Sequence, residues 1–174
     1  MKPKIGIIIP CYKVTNKINK VIEQIEEIKN NLKEEYEFLV YIVNDFCPEN
    51  SWKQVKKKSF IKFLHNKSNQ GVGGAFIKGF NAAQFDDCQV YLKIDSDTQH
   101  FPYYLYEIIP YILNLPKYEL FLLKGSRYFP PNIPANRPFI RKIGSFFLEP
   151  LARVSLGYER LTDIVNGFLA FNSL

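Results

Sequence analysis

Asp95 and Asp97 stand two residues apart where the apolar run of "VYLKIDSDTQHFP" ends. Residues i and i+2 of a strand point to one face, so these carboxylates aim at a common point. Like charges that close repel, and the pattern calls for a cation between or beyond them. Mg2+ or Mn2+ is commonly held by one or two carboxylates together with substrate phosphates, water completing the shell. The same residues can also end a strand as an Asx turn that binds nothing, and both readings remain open at this level. Asp45 ends a second run of this kind, "EFLVYIVND". Gly71, Gly73 and Gly74 form a third feature, in the loop "NKSNQGVGG". Amides and a helix N-terminus at such a place can hold phosphate, or the glycines can simply make a tight turn. The spacing is neither G-x-G-x-x-G, since Phe76 takes the third glycine position, nor a P-loop, since G-K-[ST] is missing.

Residues this far apart in sequence meet only if the chain positions them. Lys4 to Ile9 reads as a strand that Pro10 stops, too short for the apolar region of a signal peptide. Ile18, Val21, Ile22, Ile25, Ile28 and Leu32 recur at helical spacing, with Thr15 or Asn16 as the cap. "EFLVYIVND" reads as a buried parallel strand, Ser51 to Lys58 as a short helix and "FIKFLH" as a third strand. Ala75 to Gln84 reads as a helix with Phe76, Ile77 and Phe80 inward, and "VYLKID" as the fourth strand. Pro102 to Asn114 is a further helix, "YELFLLKGSRY" a strand running into a loop, Arg141 to Gly157 a helix broken at Pro150, and "GFLAF" a last strand. Alternating strands and helices predict an α/β domain with a mostly parallel sheet, helices on both faces and ligands beyond the strands' carboxyl ends. Asp45 and Asp95 fall at such ends.

Composition narrows the classes. At 174 residues, 47% hydrophobic and 23% charged, the chain is expected to form one globular domain. Three cysteines without a C-x-x-C pair argue against a disulfide framework or zinc ribbon and fit a reducing compartment. Two histidines are too few for a His-rich metal centre. The net charge of +6 favours anionic partners such as nucleotides or phospholipid surfaces. Nucleic acid is not expected, because no recognition motif is present and basic residues are not interleaved with aromatics on one strand platform. No run approaches the roughly 20 apolar residues that span a bilayer, and the Lys, Asn and Ile richness suggests an AT-rich bacterial genome.

Together "IIIPCYK", "YIVNDFCPENS", "NQGVGGAFIKGFNAA", "KIDSDTQHFP", "LLKGSRYF" and "LTDIVNGFLAF" resemble the family 2 glycosyltransferases of GT-A fold, across nearly the whole chain. Order and spacing are most similar to the branch with dolichol-phosphate mannosyltransferase and the bacterial polyprenyl-phosphate glycosyltransferases. The resemblance implies a Rossmann-like nucleotide-diphospho-sugar transferase and assigns roles by position. Pro10 and Tyr12 would border the nucleotide base, Asp45 would contact base or ribose, and Gly71, Gly73 and Gly74 would run under the nucleotide. Asp95 and Asp97 would be the DXD pair holding Mg2+ or Mn2+, with Asp97 the direct ligand of a cation bridging the diphosphate of a GDP- or UDP-linked sugar. Arg127, Arg141 and Ser145 would hold an acceptor phosphate, and Asp163 would orient the acceptor or serve as base. Arg141 and Ser145 could equally be a solvated helix face, and Asp163 a turn cap. Two family patterns differ here, with Tyr12-Lys13-Val14 for "YNE" and Asn44-Asp45-Phe46-Cys47 for "DDGS".

The acceptor follows from charge. An alcohol attacking an anomeric carbon needs a carboxylate base, whereas a lipid phosphate is already ionised near neutral pH. After Gly125 the acidic residues are Glu149, Glu159 and Asp163, against Arg127, Arg137, Arg141, Lys142, Arg153 and Arg160. That balance suits a polyprenyl phosphate, dolichyl or undecaprenyl, reached by peripheral association with the cytoplasmic face of the membrane. Transfer to a saccharide in cell-surface polysaccharide synthesis, with Asp163 as base, and a noncatalytic degenerate GT-A domain are the alternatives. Family members commonly continue beyond the last motif, so a C-terminal extension is expected to be missing here.

Overall fold

The structure, a computed structural model, describes residues 1–14, 17–97, 102–116, 120–126 and 166–173. Chain contacts divide it into two compact units, residues 1–123 with 168–174, and residues 124–167. Within the second, the Lys124 ammonium donates to the Asn166 carbonyl at 2.6 Å. Arg127, Arg141, Ser145 and Asp163, the caps Thr15 and Asn16, and the helix expected over Arg141 to Gly157 lie outside the described residues.

The strands are β1 (Lys4–Cys11), β2 (Glu37–Asn44), β3 (Ile61–His65), β4 (Val90–Lys93), β5 (Leu122–Lys124) and β6 (Leu169–Asn172), ordered β3-β2-β1-β4-β6-β5 in one sheet. β1 to β4 run parallel, and β6 joins β4 antiparallel. β1 is apolar on both faces, as a central parallel strand must be. Ile5, Ile7 and Ile9 enter the core built with α1 (Lys17–Asn31) and α3 (Leu105–Leu113), while Ile8 faces α2 (Gly71–Phe85). The expected stripe of α1 is the buried one: Ile18, Val21, Ile22, Ile25 and Ile28. Removing each such side chain from water contributes roughly 1.5–3 kcal/mol.

Other expectations shift. The helix expected over Ser51 to Lys58 is a 3-10 turn, Ser51–Gln54, and the first turn of the helix expected from Pro102 is also 3-10, Pro102–Tyr104. The glycine segment is not a loop: α2 begins at Gly71, whose φ of 73° only glycine adopts freely, and Gly73 and Gly74 lie within its first turn. Ile77 was expected inward and is 58% exposed. The buried face of α2 is instead Ala75, Gly79 and Ala83, with Phe76 and Phe80 flanking it against Tyr91 and Phe171. The cause is close approach, because a Cβ on Gly79 would come within 2.5 Å of Ile8 Cγ2 and 3.0 Å of Val43 Cγ2.

Gly79→Ala therefore trades about 1 kcal/mol of helix propensity gained against overpacking that costs roughly 1–3 kcal/mol. Urea denaturation should show a net loss of stability; an equal or more stable variant would contradict this packing.

Candidate active site

β2 lies on one side of β1 and β4 on the other, so the connections part at the carboxyl ends of β1 and β4. In open α/β sheets ligands bind at such a switch point. A cleft of about 570 Å³ opens here, lined by Pro10 of β1, by Tyr12, Lys13 and Val14 just after it and by Lys17, by Asp45 after β2, by Asn69 before α2 and Gly71, Val72 and Ala75 at its start, and by Asp95, Ser96 and Asp97 after β4. Six of the expected donor-site residues thus share one cavity: Pro10, Tyr12, Asp45, Gly71, Asp95 and Asp97 all line it. Gly73 and Gly74 are not part of its lining. Gly73 has open space where a side chain would go, and Gly74 lies against Gln70, where a Cβ would come within 2.5 Å of Gln70 Cβ.

Asp45 is 2% exposed, and its Oδ1 accepts Asn66 Nδ2 at 2.7 Å and the Gln70 amide at 2.9 Å. Its own amide donates to the Cys11 carbonyl at 3.1 Å. One residue therefore ties the ends of β1 and β2 to the segment leading into α2. At the same helix end, the Gly71 amide donates to Asn69 Oδ1 at 3.0 Å. Asn44 stands where the family pattern has an aspartate, and its side chain bridges two neighbours: Oδ1 accepts the Cys47 amide at 3.0 Å and Nδ2 lies 3.2 Å from His65 Nδ1. A carboxylate has no N–H to offer that ring nitrogen.

Sulfur chemistry fixes the other wall. The Lys13 amide donates to Cys47 Sγ at 3.2 Å, Ser51 Oγ lies 3.2 Å from the same sulfur, and the Val14 amide donates to Ser51 Oγ at 3.3 Å. Burial works against the Cys47 thiolate, but the Ser51 hydroxyl and the amides of Ser51, Lys13 and Glu49 outweigh it, and the thiol pKa is lowered. Burial pushes Cys11 up to about 11. All three cysteines are free. Lys13 and Phe46, at the exits of β1 and β2, adopt φ of 50° and 55°, a left-handed conformation unusual away from glycine that collects at functional sites.

Asp95 and Asp97 offer hard oxygen ligands that fit Mg2+ or Mn2+. Among the described residues no three His, Cys, Asp or Glu side chains gather, and the carboxylates described at such a site are this pair. A cation absent from the sequence reading also stands here: Lys93 Nζ contacts Asp95 Oδ1 at 2.6 Å. A lysine within an apolar run two residues before an aspartate was its signal. Lys13 and Asn69, which the quoted motifs contain without a role assigned to them, and Lys17 are further lining residues.

A mostly parallel sheet with this cleft at its switch point is the GT-A arrangement. The sequence profile described as Glycosyl transferase family 2 matches residues 6–149, and the chain belongs to that family. It is similar to dolichol-phosphate mannosyltransferase of Pyrococcus furiosus, 29% identical over 171 residues that cover 96% of this chain and 46% of the relative. UDP-N-acetylglucosamine--dolichyl-phosphate N-acetylglucosaminyltransferase of Methanococcus voltae is 27% identical, over 97% of this chain and 69% of its own length. Undecaprenyl-phosphate mannosyltransferase of Micrococcus luteus is 30% identical, over 77% and 54%. These relatives place the chain in the polyprenyl-phosphate branch of the family, and it spans about half the length of the Pyrococcus protein.

Asp45→Ala leaves Asn66 and the Gln70 amide without their acceptor. It should cost about 1–3 kcal/mol in chemical denaturation, besides any effect on ligand binding. Unchanged stability would show that the carboxylate does not anchor this corner.

Proposed function

We propose that the chain is the donor-binding domain of a metal-dependent glycosyltransferase that moves a sugar from a GDP- or UDP-linked donor to a polyprenyl phosphate, with inversion. The observation that carries the reading is the convergence of Tyr12, Asp45, Asp95, Asp97 and the start of α2 on one cleft at the switch point. Supporting the acceptor class are the printed names of the relatives and the excess of arginine over acidic residues after Gly125.

In this reading Pro10 and Tyr12 border the base, and Asp45, whose Oδ1 is committed, meets base or ribose through Oδ2. The N-terminal end of α2 favours the diphosphate charge. Asp95 and Asp97 would hold a divalent cation, whose chemistry there would be to neutralise the charge of the diphosphate leaving group. An acceptor phosphate oxygen attacks the anomeric carbon from the opposite face, and the bond from that carbon to the diphosphate oxygen breaks with its electron pair leaving on the nucleotide. Arg127 and Arg141 hold the acceptor phosphate through the guanidinium fork that suits phosphate, Ser145 adds its hydroxyl, and Asp163 orients it. No general base is required, since the nucleophile is already ionised. A lipid acceptor places the work at the cytoplasmic membrane face by peripheral association; among the described residues no helix is long and apolar enough to cross a membrane.

Calorimetry with UDP, GDP, dTDP and their sugar conjugates, with and without Mn2+, tests the donor half. One nucleotide should bind in a Mn2+-dependent manner, and Asp97→Ala should weaken it by at least about tenfold, the scale of losing one charged ligand. Incubating the same donor, radiolabelled, with undecaprenyl phosphate in detergent should move label into the organic phase. Binding indifferent to Mn2+ and to Asp97→Ala, or no binding, would overturn the reading.

A further inference from the structure

Cys11 at the end of β1 and Cys47 just after β2 meet at one hydroxyl. Ser51 Oγ lies 3.8 Å from Cys11 Sγ and 3.2 Å from Cys47 Sγ, and all three residues are buried. That hydroxyl also accepts the Val14 amide at 3.3 Å, which leaves its own proton for a sulfur. Backbone bonds fix where both sulfurs stand. The Cys11 carbonyl accepts the Asp45 amide at 3.1 Å, the Cys47 amide donates to Asn44 Oδ1 at 3.0 Å, and the Cys47 carbonyl accepts the Asn50 amide at 3.1 Å. Phe46 and Asn50, on either side of Cys47, take left-handed φ of 55° and 50°, and the loop returns Cys47 to the exit of β1, where its sulfur accepts the Lys13 amide at 3.2 Å. The third cysteine, Cys88, belongs to the core on the other face of the sheet and meets the Tyr41 hydroxyl at 3.7 Å. The two neighbouring thiols differ in character. Burial opposes the Cys47 thiolate, yet the Ser51 hydroxyl and the amides of Ser51, Lys13 and Glu49 outweigh it and lower the pKa, whereas burial pushes Cys11 up to about 11. A thiolate-prone sulfur is the one a peroxide oxidises, and a second thiol within reach resolves the product to a disulfide.

We propose that Cys11 and Cys47 are a reversible oxidation site, a dithiol that hydroperoxides convert to a disulfide, and that this conversion reshapes the wall of the cleft. With hydrogen peroxide, the Cys47 sulfur attacks one oxygen and the O–O bond breaks. The departing hydroxide takes up the proton that Cys47 gave up, and Cys47 becomes a sulfenic acid. The Cys11 sulfur then attacks the Cys47 sulfur and the S–O bond breaks. The hydroxyl leaves as a second water with the Cys11 proton, which Ser51 Oγ, between the two sulfurs, is placed to pass. Two thiols are oxidised and one peroxide is reduced, and thiol exchange with an external dithiol restores the pair. In a disulfide the sulfurs stand about 2 Å apart, so no hydroxyl remains between them. The Lys13 amide then loses its sulfur and the Val14 amide its hydroxyl as both groups shift. Tyr12, Lys13 and Val14 line the cleft, and the oxidised wall releases them. Resting on the donor-site reading above, the disulfide weakens nucleotide binding and reduction restores it.

The test oxidises the purified chain with hydrogen peroxide, alkylates the thiols that remain and maps its peptides without reduction. Cys11 should be linked to Cys47 with Cys88 alkylated, dithiothreitol should undo the link, and circular dichroism should show the fold retained. Hydrogen–deuterium exchange should speed up at residues 12–14 and 51–54 of the oxidised chain and slow again on reduction. Nucleotide affinity in calorimetry should fall by at least about tenfold, the scale of leaving a buried amide unpaired. Cys11→Ala should abolish the link and the effect of peroxide, judged against its own reduced form; if that variant does not fold, the linkage map and exchange of the unmodified chain decide alone. The proposal is overturned by absence of the link in the folded chain, by a link that forms only in urea, by oxidation of Cys88 at the same rate, or by loss of the fold on oxidation. A link that leaves exchange at 12–14 or nucleotide affinity unchanged overturns it too. A reduced chain that binds no nucleotide sinks the donor-site reading instead, while the link and the exchange at 12–14 still decide the role of the thiol pair.

Discussion

The carboxylate of Asp45 holds the mouth of the cleft together. A buried acceptor in contact with Asn66 and the Gln70 amide must keep both donors or carry an unsatisfied charge. Because the Asp45 amide is in turn held by Cys11, the ends of β1 and β2 and the approach to α2 form one corner. The Asn44 bridge between Cys47 and His65, and the thiol and hydroxyl of Cys47 and Ser51, extend that corner to the exit of β1. The walls of the cleft are thus fixed by polar contacts at strand ends, on a sheet whose apolar strands supply the stability.

Close packing serves the same end. α2 lies near enough to β1 and β2 that a side chain at Gly79 would collide with Ile8, and the small Ala75 and Ala83 share its buried face. That approach brings the start of the helix, with its positive dipole end, into the lining of the cleft that Asp95 and Asp97 also line. Positive helix end, aspartate pair and buried lysine together bring fixed charges of both signs to the end of the sheet where the cleft opens.

Much of this was legible in residues and spacing. The period of Ile18 to Ile28 marks α1, the β-branched runs mark β1 to β4, and the aspartates ending two runs mark the cleft. What was missed follows from single-residue reasoning about pairwise effects. Large apolar side chains were assigned to the inner face of α2, yet helix-to-sheet distance selects small ones, and Ala75, Gly79 and Ala83 at steps of four were the available signal. Glycines were read as loop because they disfavour helix, but the contact of Asp45 with Gln70 starts the helix at Gly71. The repulsion between Asp95 and Asp97 was answered with a bound metal alone, whereas Lys93, whose ammonium contacts Asp95, already answers part of it.

The central claim, that the switch-point cleft is the nucleotide site, is tested most directly by hydrogen–deuterium exchange with and without the preferred nucleotide and Mn2+. Slowed exchange is predicted at residues 12–14, 45–47, 69–75 and 95–97, with no change in the turns at 32–36 and 86–89 at the other end of the sheet. Protection of those opposite turns with the cleft segments unchanged would contradict it.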